Sequence, residues 1–202
     1  ITFNWVRVCA QEELAARLDA ATSARESAEI LEKEKAFVTN TLVSALTVRC
    51  ERRLLLGNFD TALRCFQTQQ AISEKIGYQE GIAGAWLGMG VLKERQEDIE
   101  QALLLRRRAL ALYETAGSKH GEALSLAGLS HMYQELGDYQ KAFEYANKAL
   151  RLYEELGHPR GKADALTELA YIYDLQNNFQ QALACFERAS LIYQELEDIL
   201  KI

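Results

Sequence analysis

The chain has 202 residues, 49% of them hydrophobic, with one proline, Pro159, and a formal charge of −6. That apolar content excludes a disordered chain, and so little proline points to helices, whose interiors tolerate it poorly. An acidic surface repels phosphate backbones and anionic headgroups, and no apolar run approaches the roughly 20 residues of a membrane span, so neither nucleic acid nor membrane is an expected partner.

The opening residues, Ile1-Thr2-Phe3-Asn4-Trp5-Val6-Arg7-Val8, lack the basic start and the cleavage site of a secretory signal. A chain that does not begin with Met reads as a segment cut from something longer. Residues 1–40 read as a degenerate helix pair. An offset of 41 sets Trp5 against Leu46 and Trp86, Leu18 against Phe59, and Ala21 against Ala62. The turn of this pair lacks a Gly-Asp signal, which leaves open two helices or a single merged one.

From residue 41 the sequence repeats with a period of 40, giving units 41–80, 81–120, 121–160 and 161–200. Gly57-Asn58-Phe59 falls on Glu97-Asp98-Ile99, Gly137-Asp138-Tyr139 and Asn177-Asn178-Phe179. Alanine recurs at Ala62, Ala102, Ala142 and Ala182, again at Ala109, Ala149 and Ala189, and tyrosine at Tyr113, Tyr153 and Tyr193. Gly81, Gly121 and Gly161 open three of the units.

These columns have physical reasons. Asn58, Asp98, Asp138 and Asn178 carry side-chain oxygens that can accept from the free amides opening a helix. Three of the four preceding residues, Gly57, Gly137 and Asn177, favour the left-handed conformation that ends one. Each unit therefore reads as two helices joined by a tight turn, with the alanines allowing close approach. Glu122 to Leu136 and Tyr139 to Leu156 show apolar steps of three and four, the pattern of amphipathic helices. Unit 41–80 diverges: Leu46, Cys50 and Leu54 keep a stripe, but Arg49 occupies a column that is apolar elsewhere and Arg53 one that is Tyr133 and Tyr173 in the last two units.

Little in the chain suggests chemistry. Cys9, Cys50, Cys65 and Cys185 form no Cys-x-x-Cys pair and read as free thiols in the core, the usage of a reducing, cytoplasmic compartment. His120, His131 and His158 stand in different places without a Glu-x-x-His or His-x-x-x-His partner, so no metal site is expected. Arg106-Arg107-Arg108 reads as surface charge paired with nearby glutamates, or as a second contact for an acidic partner. Gly81, Gly84, Gly88 and Gly90 lie inside a helix pattern instead of a phosphate loop. With no cofactor motif and no convergent catalytic groups, an enzyme is not expected.

The columns resemble the tetratricopeptide repeat, a pair of antiparallel helices whose usual period is about 34 residues. Trp86, Met89, Gly90, Ala102 and Ala109 stand at its pattern positions, as do Tyr133, Gly137, Ala142, Tyr173, Ala182 and Ala189. The longer period is similar to that of Pins-type adaptors and of bacterial signalling members. The resemblance implies an all-α, right-handed superhelical solenoid of helix pairs, one domain over residues 1–202, with a concave groove lined by first helices. Carried over position by position, the groove would comprise Thr47, Glu51, Leu87, Val91, Glu94, Arg95, Ala127, His131, Gln134, Thr167, Tyr171 and Asp174. The lysines of chaperone-binding members are missing, since Thr47, Leu87, Ala127 and Thr167 stand in their place.

The expected function is that of a scaffold holding a peptide or protein segment in the groove. The alternative is the regulatory sensor part of a larger signalling protein or transcription regulator. The final helix carries Leu191, Ile192, Tyr193, Leu196, Ile199, Leu200 and Ile202. Solenoids normally end in a polar face, so this end is expected to be covered by a following segment, by self-association with a second copy, or by a partner.

Overall fold

The computed structural model describes residues 2–21, 24–34 and 38–199, without the side chains of residues 2–9, 19, 24, 198 and 199. Within these residues the chain is all helix: α1 (Thr2–Ala20), α2 (Ala24–Lys33), α3 (Asn40–Leu55), α4 (Phe59–Ile76), α5 (Gln79–Arg95), α6 (Ile99–Ala116), α7 (Lys119–Glu135), α8 (Tyr139–Glu155), α9 (Pro159–Leu175) and α10 (Phe179–Ile199). The chain folds as two compact units, Ile1–Leu112 and Tyr113–Ile202.

The turn columns behave as their chemistry dictates. Gly57, Gly137 and Asn177 take φ of 75°, 74° and 59°. Glu97 joins them at 62° although its side chain disfavours that region by about 1 kcal/mol. The chain then closes each helix end on itself: the Asn58 amide donates to the Arg53 carbonyl (3.0 Å) and the Gly57 amide to Leu54 (3.0 Å), with the same pair of bonds at Glu97, Gly137 and Asn177. The N-cap column holds in part. Asp138 Oδ1 accepts from the Lys141 amide at 3.2 Å and Asp98 Oδ1 from that of Gln101 at 3.3 Å. Asn58 makes no side-chain cap; its carbonyl accepts from the Thr61 hydroxyl instead.

The glycines that open units answer to the helix before them. A Cβ at Gly121 would fall within the ring of Tyr113, and one at Gly161 within that of Tyr153. The tyrosine and glycine columns are thus two sides of one contact. Gly81 faces Ser73, the smaller residue at the tyrosine position, together with Tyr78. Gly88 is bare for a related reason, because Phe66 lies against it.

In the first unit, α1 and α2 are separate helices, the chain leaving helix at Ala21, so the merged alternative does not hold. Leu14, Ala15, Leu18 and Leu31 join Leu42, Val43, Leu46 and Ile72 in one core. A second core, Cys50, Ala62, Cys65, Phe66 and Leu92, links α3, α4 and α5. There the expectation of free thiols fails: Cys50 and Cys65 form a disulfide, with Cα atoms 5.3 Å apart. They are separated by 15 positions, and only the hairpin brings them together. The pairing removes cysteine usage as an argument for a reducing compartment. Cys185 is free and buried, its thiol pushed up by that burial; Cys9 lies outside the described side chains.

In the second unit the alanine columns are buried, with Ala142 and Ala149 at 0% exposure, and helices α7 to α10 close around Leu129, Met132, Leu166, Leu169 and Ile172. The segment Gly157-His158-Pro159-Arg160 leads into α9: His158 Nδ1 accepts from the Gly161 amide at 2.9 Å and Pro159 sits in the first turn. His120 also comes beside it, ring centroids 5.3 Å apart, although the two lie far apart in sequence.

Candidate functional site

The first helices α3, α5, α7 and α9 each carry buried residues beside residues that stay partly or fully exposed. The twelve residues read from the sequence lie on α3, α5, α7 and α9, and none of them is fully buried.

In the first unit, α3 carries Thr47 and Glu51 and α5 carries Leu87, Val91, Glu94 and Arg95. The Thr47 hydroxyl donates to the Val43 carbonyl at 3.0 Å, which satisfies it within its own helix. Glu51 is open at its surface, yet the protein around it displaces enough water to raise its carboxyl above the usual range. Glu94 is engaged by Arg106 of α6. Arg106 is only 5% exposed, so the surface reading of the arginine run is wrong at its first member, while Arg107 and Arg108 are exposed. The column explains it: positions 66, 146 and 186 hold Phe, Ala and Phe, so Arg106 stands where the repeat turns inward. A buried guanidinium needs a carboxylate, and Glu94 supplies it.

In the second unit, α7 carries Ala127, His131 and Gln134, and α9 carries Thr167, Tyr171 and Asp174. Gln134 Nε2 donates to Glu168 Oε2 at 2.5 Å, tying α7 to α9 across this face. His131 Nε2 lies 3.7 Å from Glu135 Oε1, a charge pair when the imidazole is protonated. Thr167 repeats the Thr47 arrangement, its hydroxyl donating to Ala163 at 3.0 Å. Tyr171 is 52% exposed while its ring packs edge-on against Phe186, centroids 5.2 Å apart at 83°. The ring is both held and available, the condition for an aromatic anchor. Asp174 is exposed.

Sequence reasoning missed Glu168. Its column reads Gly88, Gly128, Glu168, so the one charged member was a visible signal. It also missed Arg106, for which the apolar column was the signal.

A family model described as Tetratricopeptide repeat matches residues 81–155 and 121–195, more than half of the chain. The chain belongs to the tetratricopeptide repeat family. Solved structures agree on the fold. BtubC (BKLC) from P. vanneervenii is 18% identical, with 94% of this chain and 89% of that one covered and a TM-score of 0.67. A putative kinesin light chain from Podosopora anserina with nearly identical TPR-like repeats is 17% identical, with 95% and 97% covered and a TM-score of 0.60. A STAND signal-transduction ATPase from Pyrococcus horikoshii, carrying a tetratricopeptide repeat sensor, is 18% identical with a TM-score of 0.65; 88% of this chain but 28% of that one is covered. At these identities the likeness concerns fold alone. Among curated proteins no relative matches. Among the described residues no helix is long and apolar enough to cross a membrane.

Proposed function

We propose that this tetratricopeptide repeat chain binds a peptide or protein segment on the open faces of its first helices. The observation that carries this is Tyr171, a half-open ring held edge-on by Phe186, beside the polar pair Gln134–Glu168. An aromatic with a fixed orientation loses little freedom when a partner covers it, and the adjoining amide and carboxylate offer hydrogen bonds at its rim. The face of the first unit offers Leu87 and Val91 as apolar contacts. Glu94 serves there as the partner of Arg106. The reading assigns no catalytic role to any residue.

Affinity capture with wild type beside a Tyr171→Ala, His131→Ala double variant tests the proposal. Partners held by wild type should be lost or reduced about tenfold by the variant; equal recovery from both would refute the assignment. A second reading, the sensor part of a larger signalling protein, is favoured by the likeness to the STAND protein's repeat sensor. A nucleotide-hydrolysing domain on the same polypeptide would support it.

A further inference from the structure

A cavity of about 390 Å³ opens on the first unit between α1 and α3, lined by Arg49, Arg52, Arg53, Glu12, Val48 and Leu56 among others. Its origin is legible in the repeat. The column of Arg49 continues as Met89, Leu129 and Leu169, and that of Arg52 as Leu92, Met132 and Ile172. Leu92, Leu129, Met132 and Ile172 are each fully buried. In α3 the same flank stays open and bears guanidinium groups instead. Among the described lining residues the charged groups are Arg49, Arg52, Arg53 and Glu12, a net two positive, on a chain whose total is −6. Beside them Val48 is 65% exposed and Leu56 68%.

We infer that this cavity is a second binding site, for an acidic peptide segment bearing aliphatic side chains. Guanidinium forks match carboxylates in a bidentate, planar geometry, and the volume lies within the range of ligand sites. The exposed Val48 and Leu56 favour a peptide over a bare phosphate, which would leave them uncovered. The site is separate from the face proposed above: Thr47 and Glu51 lie on the opposite flank of α3, more than a quarter-turn from Arg49 and Arg52 at 100° per residue.

The test uses a fluorescein-labelled ten-residue peptide of glutamate and leucine, read by anisotropy. Wild type should bind it, more weakly as salt rises, and the Arg49→Gln, Arg52→Gln, Arg53→Gln variant should bind about tenfold or more weakly. The Tyr171→Ala, His131→Ala variant should bind as wild type does, which separates this site from the other face. If the triple variant melts early, Arg52→Glu alone, at an exposed position, must produce the loss. No binding by wild type, equal binding of a glutamine-for-glutamate peptide, retention by the arginine variants, or capture of phosphatidylserine vesicles in place of the peptide would each overturn the proposal.

Discussion

Tyr153 shows how a single side chain ties the repeat to solution conditions. It is 4% exposed, lies against Gly161, and its hydroxyl is pushed up to about 12, first by burial and then by the charge of Asp164. An unfolded tyrosine titrates near 10. The folded value is the higher one, so the folded state holds its proton more tightly. The stability linked to Tyr153 is therefore complete below about pH 10 and disappears as pH rises towards about 12. Up to roughly 3 kcal/mol is at stake. Denaturant titrations at several alkaline pH values should show a steep loss for wild type across that window and a shallower one for Tyr153→Phe. Identical slopes would mean that the ring meets water more readily than its packing implies.

At the scale of elements, the hairpin of α3 and α4 differs from the others in being cross-linked. Its helices lack the full apolar inventory of later pairs, because Arg49 occupies the column of Met89, Leu129 and Leu169, and Arg53 that of Tyr133 and Tyr173, where only Lys93 is also charged. The Cys50–Cys65 bond closes a loop of about 15 residues, whose unfolded-state entropy it removes, worth roughly 3 kcal/mol by the chain-entropy rule. Reduction, or a Cys50→Ala, Cys65→Ala variant, should lower the stability of the first unit by about that amount. Hydrogen exchange at α3 and α4 amides, with and without reductant, reads it directly. Unchanged protection would show that packing alone holds this hairpin. The turns need no such aid. Each closes by the same pair of backbone bonds, whether the left-handed residue is Gly57, Glu97, Gly137 or Asn177.

For the molecule as a whole, repeat proteins behave as near one-dimensional arrays whose stability sums over units and their immediate neighbours. A cavity made in one unit should then be felt close by. Leu166 is fully buried in α9, and Leu166→Ala should cost about 2 to 5 kcal/mol. Amides of α8, α9 and α10 should lose protection while those of α3 and α4 keep theirs. A uniform loss throughout the chain would indicate one cooperative body.

The sequence by itself determined the helices, their period and their turns, because those depend on local chemistry: a left-handed residue, a capping oxygen, an apolar step of three and four. Only the tertiary structure decided what depends on neighbours distant in the chain. The pairing of Cys50 with Cys65, the burial of Arg106 against Glu94, and the tie between Gln134 and Glu168 are of this kind. So is the opening of a cavity between α1 and the arginines of α3. Each arises where one helix meets another, and a side chain's partner across that gap is set by packing distance and charge, quantities that no spacing along the chain records.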